Sequence, residues 1–300
     1  MPAPFPSSAL ILGLTAAFGW GIGDFLSRGA SREVGYFRSM FYFQFAGLLA
    51  LSLFLGLRGD LATPWPREAA AWGWMALACL LNVIAGLTIY RAFSIGTLAI
   101  VSPISASYGG LTGILAFFSG ERIGLVRGAA LIAVVVGLAL ASAAPSPPAV
   151  PGAPKERYRL PPGVGSAIIA SLVFGFLFWL LGFHVTPKFG GTKPIWLFRV
   201  TSPILLFALA KIQRADLSLP PLRSWRYLAP TGLLDTLAFT AVTIGLAGGE
   251  TTLVTVLSSL FSAVTVVIAW VILREPMAKR QWLGVAMILA AIAAAQLASS

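Results

Sequence analysis

Polar side chains interrupt long apolar runs of this chain, where an unpaired charge is costly. Asp235 lies in the middle third of the run 227–247, and Asn82 lies at the centre of the run 70–91. An ionised group at mid-bilayer costs about 2.5–3.5 kcal/mol on insertion scales, so such residues are functional candidates. The alternative is a packing hydrogen bond between helices, worth about 0.6 kcal/mol on average. We favour function for Asp235, and for Asn82 both readings stay open.

Asp24 is the second carboxylate within an apolar run. It lies in the last third of the first run, four residues before Arg28, so the two side chains can pair on one helix face near the interface. The alternative is a contact with a substrate amine or with a transported proton. Because a buried carboxyl can bind and release a proton, Asp24 and Asp235 are both candidates for proton coupling.

Two arginines occupy matching positions, in the pairs Phe37-Arg38 and Phe198-Arg199 near the starts of two apolar runs. Long basic side chains near helix ends usually extend to the lipid headgroups. Because both halves place an arginine at this position, a functional role carries equal weight. In such a role a guanidinium fork would suit a substrate carboxylate.

Aromatic residues near the starts of runs fit an interfacial belt. Trp20 and Trp179 lie closer to the polar residues, so we expect them to form walls of a cavity. A cavity with aromatic walls and few polar groups fits a small apolar or amphipathic ligand. The predicted substrate-binding residues are Trp20, Asp24, Asn82, Tyr108, Trp179, Arg199, Asp235 and Phe239.

Pro103 lies in the run 97–118, which is rich in Ser and Gly. A proline there can kink or open a helix while Ser and Thr hydroxyls cover the freed carbonyls. We predict a helix hinge at Pro103. Gly109 and Gly113 form a small-xxx-small pair, for which close helix packing is the simpler explanation.

The composition requires a bilayer around these runs. Of 300 residues only 10% are charged and 58% are hydrophobic, whereas a soluble domain carries about 25% charged residues. The net charge of +11 comes from basic residues in short loops, which favours anionic headgroups as the partner over nucleic acid. One His and one Cys exclude a His/Cys metal cluster, and we expect no cofactor.

Ten runs are long enough to cross a membrane. They span residues 8–28, 35–57, 70–91, 97–118, 126–143, 163–184, 194–211, 227–247, 251–273 and 280–298. A proline-rich segment at 144–162 separates the first five from the last five and is typical of an extended linker. We predict a first five-helix repeat at 1–143, the linker, and a second repeat at 163–300.

The two halves match in order. A shift of 153 residues places Asn82 on Asp235 and Ser105 on Ser258. Because five is odd, the second half must cross in the opposite sense. The prediction is therefore an all-α integral membrane protein with ten transmembrane helices as two inverted five-helix repeats. Inverted repeats are typical of secondary transporters with a substrate site at the midplane.

Four features resemble the EamA family of the drug/metabolite transporter superfamily. They are Trp20-Gly21 followed by Asp24; the paired arginines of spans two and seven; an acidic residue after spans four and nine; and a glycine in span ten. The acidic residues are Glu121 and Glu275, and the glycine of span ten is Gly284. The resemblance covers the whole chain and implies an exporter of small metabolites in a bacterial inner membrane.

Orientation remains open. With a cytoplasmic N-terminus, six Lys and Arg fall in inside loops and fourteen in outside loops. The positive-inside rule therefore places both termini outside. The resemblance implies the reverse.

The leading hypothesis is a secondary transporter that moves small metabolites, with amino acids as candidates, by alternating access. The sequence contains no GxxxxGK[ST] nucleotide-binding motif, so we do not expect ATP to drive transport. One alternative is a flippase-like lipid carrier. A less favoured one is an intramembrane enzyme that uses a Ser with a carboxylate, such as Ser258 with Asp235. Spans five and ten carry few polar residues, and we expect a monomer or a weak homodimer.

Overall fold

The computed structural model of this chain is all-helical. It describes residues 6–96, 98–122, 124–141, 161–273, 279–280, 282–284, 286–287 and 290. The predicted linker at 144–162 (apart from its last two residues), Glu275, and most of the predicted tenth helix lie outside the described residues.

The described helices are α1 (Pro6–Val34), α2 (Tyr36–Arg58), α3 (Ala69–Ile95), α4 (Leu98–Ala106), α5 (Tyr108–Phe118), α6 (Leu125–Ala141), α7 (Val164–Leu180), α8 (Thr186–Phe189), α9 (Lys193–Gln213), α10 (Trp225–Ala247), α11 (Thr251–Ser258) and α12 (Phe261–Leu273). A π-helical turn, Leu181–Val185, joins α7 to α8.

Eight helical segments within the described residues are long and apolar enough to cross a membrane. They agree with the predicted runs one to four and six to nine. Span four consists of α4 and α5, span six of α7 to α8, and span nine of α11 and α12. Helix α6 matches the fifth run and has 17 residues, the lower limit for crossing the hydrocarbon. The all-helical, multi-span class is confirmed, and the tenth helix stays a prediction.

Helix α1 is longer than the sequence predicts, because polar residues beyond position 28 do not end it. Ser27 and Ser31 are buried against neighbouring helices rather than exposed to solvent. The helix ends only before Gly35, whose φ of 84° lies in the region that favours glycine. The chain then reverses directly into α2.

Successive spans alternate in direction, which gives the bundle two faces. We call the face that holds the start of α1 the N-face. Helix α1 packs against α10 and α12 through glycines. A Cβ at Gly19 would lie 3.1 Å from Ala238 Cβ, and one at Gly21 would lie 2.6 Å from Val264 Cβ. These close approaches place α1 at the centre of the bundle.

Spans four and nine are both broken, and at matching positions. Span four breaks at Ser107, which the shift of 153 residues places on Leu260, inside the break at Ser259 and Leu260. Next to each break a serine hydroxyl donates to the carbonyl three residues earlier: Ser105 to Ser102, and Ser258 to Thr255. Such back-bonds compete with the helical ladder.

The position of the break bears on the hinge predicted at Pro103. This proline lies inside α4, and the helix continues past it for three residues. The shift places Val256 opposite Pro103, so span nine breaks without a proline. Serine back-bonds, and not the proline, are therefore what the two breaks share.

Candidate substrate site

A cavity lies at the centre of the bundle, where both halves meet. It encloses about 70 Å³. Of the eight residues predicted to bind substrate, seven line it: Trp20, Asp24, Asn82, Tyr108, Arg199, Asp235 and Phe239.

A buried ion pair dominates one wall. Arg199 of α9 is 2% exposed and donates through Nη2 to Asp235 Oδ2 at 2.5 Å. Its Nη1 donates to Gln44 Oε1 at 2.6 Å. The guanidinium carbon lies 5.6 Å from the ring centre of Phe43 and 5.9 Å from that of Phe239. Of the two alternatives left open for Arg199, extension to the headgroups does not hold, because its charge is compensated inside the bundle.

Trp20 completes the coordination of Asp235. Its Nε1 donates to Asp235 Oδ1 at 3.0 Å, so each carboxylate oxygen has a donor. The indole packs edge-on against Phe239, with ring centres 5.0 Å apart, and against Phe178 at 5.8 Å. These contacts hold the α1–α10 interface and fix the indole beside the cavity.

Asp24 lies one helical turn after Trp20 on the same face of α1 and also lines the cavity. Its Oδ2 is buried and has no hydrogen-bond partner among the described residues. Among the described residues of the lining, the Asp and Arg side chains are Asp24, Arg199 and Asp235. Arg199 compensates Asp235, whereas Oδ2 of Asp24 is left without a hydrogen-bond partner among the described residues.

Asn82 combines the two roles that the sequence left open. It lines the cavity, and its Nδ2 donates to Ser202 Oγ at 3.2 Å. Asn82 of span three and Asp235 of span eight thus both bond to α9, consistent with their matched positions.

Tyr108 joins the two broken spans beside the cavity. Its hydroxyl lies 2.8 Å from Ser258 Oγ, and its ring stacks on Phe261 with centres 6.2 Å apart. Ser258 therefore pairs with Tyr108 and the Thr255 carbonyl, whereas Asp235 is bound by Arg199 and Trp20. The nucleophile pair of Ser258 with Asp235, considered for an enzyme, is not formed.

Trp179 is the predicted residue that the structure does not bring to the cavity. Its Nε1 donates to Ser119 Oγ at 2.7 Å, near the N-face end of α7. One residue on a helix turns the side chain by about 100°, so Phe178 lines the cavity while Trp179 points away.

Several lining residues were not in the predicted set. Gln44, Tyr90 and Phe261 are examples. Gln44 had a readable signal, because an amide within the apolar run 35–57 is as unusual as Asn82. Phe261 had none, since one aromatic residue in an apolar run matches any buried or lipid-facing position.

At the N-face, a basic residue joins the two halves. Lys193, at the start of α9, donates through Nζ to the carbonyls of Thr63 at 3.2 Å and Pro64 at 2.9 Å. The ammonium lies 4.7 Å from the ring centre of Trp65, and Lys193 is 7% exposed. We call these four residues the N-face contact.

The opposite face has a corresponding set. Arg38, near the start of α2, forms an ion pair with Asp216 at 3.1 Å and donates to the Ser218 carbonyl at 2.8 Å. Tyr42 donates to the Leu217 carbonyl at 2.7 Å. We call these five residues the opposite-face contact. Arg38 therefore forms an ion pair with Asp216 at the surface instead of extending to the lipid headgroups.

Carboxylates outside the spans differ between the faces. At the N-face, burial raises the pKa of Glu121, although Thr252 donates to it from its backbone N–H at 3.0 Å and from its hydroxyl. At the opposite face, hydrogen bonds from the backbone and hydroxyl of Ser218, with a smaller contribution from Arg38, lower the pKa of Asp216.

Three comparisons with known proteins indicate the fold and the family of this chain. A comparison with curated protein sequences gives no match. A protein of known crystal structure superposes with a TM-score of 0.73 at 18% identity, covering 98% of both chains, which shows a shared fold. The model of the EamA-like transporter family matches twice, at residues 7–143 and 161–295. Two matches confirm the two repeats, and this membrane protein belongs to the EamA-like transporter family, part of the drug/metabolite transporter superfamily.

Proposed function

We propose that the chain is a ten-span secondary transporter that moves a small amphipathic metabolite by alternating access. Eight spans are described, α6 is the ninth, and the run 280–298 supplies the tenth. The observation that carries the proposal is the central cavity, which takes residues from both repeats and holds an ion pair beside a carboxylate oxygen without a hydrogen-bond partner. Metabolites with an amino group, amino acids among them, are the candidate substrates.

The two faces support alternating access, because each carries a contact between the halves that can open. At the N-face, α9 of the second half binds the loop between α2 and α3. At the opposite face, α2 of the first half binds the loop between α9 and α10. We infer that these contacts are gates and that opening one favours closing the other.

Proton coupling is assigned to Asp24 in preference to Asp235. Both oxygens of Asp235 have donors, whereas Asp24 Oδ2 is free to take a proton or a ligand donor. The other titratable or charged groups that line the same cavity are Arg199, Asp235, Tyr90 and Tyr108. A proton and a cationic substrate would compete for Asp24, which is the basis of exchange transport.

Export from the cytoplasm across a bacterial inner membrane completes the proposal, as the family resemblance implies. The proposed mechanism is the same whichever side of the membrane holds the two termini. We also retain the expectation of a monomer or a weak homodimer.

Uptake and counterflow in proteoliposomes test the proposal, with labelled amino acids and amines and with or without a pH gradient. We expect saturable transport that Asp235→Ala abolishes, since the substitution leaves Arg199 buried without its counter-charge. The variant Glu68→Gln, whose side chain is 62% exposed, is the control and should transport normally. Transport of labelled phospholipid without any small solute would instead identify a lipid carrier and contradict the proposal.

The coupling residue is tested by comparing two isosteric variants. Asp24→Asn should transport at a rate that no longer responds to a pH gradient. Asp235→Asn, if it folds, should keep that response. The reverse pattern would assign the proton to Asp235.

A further inference from the structure

We propose that the connection between α9 and α10 is a membrane-interface surface that binds anionic phospholipid. Its leucines enter the acyl region, and its basic residues bind the headgroup phosphates. We call residues 211–226 the basic segment; it lies beside the opposite-face contact. The inference goes beyond the proposed function and does not rest on it, because lipid binding can be measured without transport.

The first argument is the depth at which the basic segment lies. Arg38 and Tyr42 of α2 are four residues apart, which is about 6 Å along the helix axis. They donate to the carbonyls of Ser218 and Leu217, respectively. The segment therefore lies alongside the first two turns of a membrane span. The ring of Tyr42 is 6.1 Å from that of Trp225 between centres, and both residue types are typical of the membrane interface.

The second argument is the apolar side chains that the segment presents outward. Leu219 and Leu222 are 75% and 87% exposed. In the corresponding loop of the first half, between α2 and α3, Leu61 and Trp65 pack against the hydrophobic core instead. At the depth of the first turns of α2, exposed leucines meet lipid, and burial of their surface at the acyl boundary is favourable. The covering partner of these leucines is therefore the bilayer.

The third argument is the charge of the segment. Residues 211–226 carry four basic side chains and one acid, Asp216, which gives a net charge of +3. The first-half stretch of the same length, residues 56–71, balances two arginines with Asp60 and Glu68. The excess of positive charge is thus a property of one loop and not of both.

Ion pairs within the protein do not consume this charge. Asp216 pairs with Arg38, and Glu33 of α1 pairs with Arg223 at 2.8 Å. Three exposed basic residues remain without an acidic partner among the described residues: Lys211, Arg214 and Arg226. Clustered basic side chains at a membrane surface attract anionic lipid headgroups. The chemistry of the partner is therefore that of an anionic phospholipid such as phosphatidylglycerol.

Quenching of a fluorescent label tests the proposal on the full chain. The label is attached to Leu222→Cys in a Cys79→Ala background, in phosphatidylcholine vesicles. A fixed fraction of the lipid carries a nitroxide quencher high on one acyl chain, with either a phosphatidylglycerol or a phosphatidylcholine headgroup. We expect both lipids to quench, with phosphatidylglycerol enriched beside the label about five-fold or more, the factor for one basic residue at the surface.

A label at Ala62→Cys, in the exposed part of the first-half loop, is the matched control. It should show no preference between the two headgroups, because that loop has no net charge. Equal quenching by both lipids at position 222, or quenching by neither, would overturn the proposal. The same preference at position 62 would also overturn it, since the whole protein would then attract the lipid.

Variants assign the preference to the three exposed basic residues. The combination of Lys211→Gln, Arg214→Gln and Arg226→Gln should abolish the preference at position 222, and quenching by phosphatidylcholine should persist because the leucines stay in place. Raising the salt concentration should act in the same direction. The N-face pair Arg58→Gln and Arg67→Gln is the control and should keep the preference. A preference that survives in the triple variant, or that is lost equally in the control pair, would contradict the assignment.

Discussion

At the N-face, Lys193 binds loop carbonyls of the other half from a buried position, 7% exposed and beside an aromatic ring. At the opposite face, Arg38 binds the corresponding loop next to Asp216, whose side chain is 63% exposed. The two contacts have the same plan, since in each a basic residue near the start of a helix binds a loop of the other half. They differ in solvent access, and exposed ion pairs contribute only about 0–1 kcal/mol. The comparison indicates that the N-face is held more firmly than the opposite face.

The packing of the core also indicates that the N-face is held more firmly than the opposite face. The larger hydrophobic cluster fills the N-face half, with Leu181, Val185, Phe189 and Leu246 among its members. The cavity is lined from the midplane towards the opposite face, by Asp24, Tyr90 and Thr231. We infer that this conformation exchanges ligand more readily through the opposite face.

The largest expected effect is that of Lys193→Met. It removes hydrogen bonds from a charged donor, which are worth about 1.5–3 kcal/mol, and leaves two carbonyls without that donor. A cysteine at Val242, buried in the N-face half, should react with a thiol reagent about ten-fold or more faster in this variant. The native Cys79, which is buried, is replaced by Ala in the background.

Lys188→Met is the matched control for this prediction. Lys188 lies on the same face and pairs with Glu68 at 2.9 Å, but both side chains are about half exposed. Its loss should change labelling of the Val242 cysteine little. If both variants opened the N-face equally, burial would not be the source of its strength.

A smaller effect is expected for Arg38→Met. Removing a pair whose carboxylate is exposed should speed labelling of a cysteine at Thr231, on the cavity wall, by no more than about five-fold, the factor for about 1 kcal/mol. High salt should mimic this variant by screening the pair, while the Val242 cysteine should be insensitive to salt. Salt sensitivity confined to the Val242 cysteine would reverse the comparison.

The smallest effect concerns pH. Burial raises the pKa of Glu121, so its contribution to stability is complete below its unfolded pKa and is lost as pH rises through the raised folded value. The pKa of Asp216 is lowered, so its contribution is present above its unfolded pKa and is lost as pH falls through the lowered value. Thermal unfolding of Glu121→Gln and Asp216→Asn against pH should therefore diverge from the parent in opposite directions. Parallel profiles for the two variants would contradict this difference between the faces.

The sequence predicted the helices and part of the cavity lining for one reason. Polar residues within apolar runs must be compensated, and the repeat placed Asn82 and Asp235 at matching depths. Seven of the eight predicted residues accordingly line the cavity. The sequence did not show which of these polar side chains pair with one another. Arg199 looked like a helix-end residue, and only the approach of α10 and α2 shows that it is bound by Asp235 and Gln44.

Two further differences have a geometric origin. Trp179 and Phe178 are adjacent, and which of them faces the cavity depends on the rotation of α7, which composition alone does not fix. The break in span four was predicted near Pro103, since proline is the usual cause of a kink. It lies at Ser107 because hydroxyl groups bind the carbonyls there, as they do in span nine.

Cross-linking of each face tests the central claim, that the two halves open the cavity to the faces in alternation. One double variant places cysteines at Glu68 and Lys188 on the N-face, and the other at Arg38 and Asp216 on the opposite face, each joined by a short reducible reagent. Transport in proteoliposomes is measured before cross-linking, after it, and after reduction. The account predicts that either cross-link stops transport and that reduction restores it. Full transport with either face cross-linked would contradict alternating access.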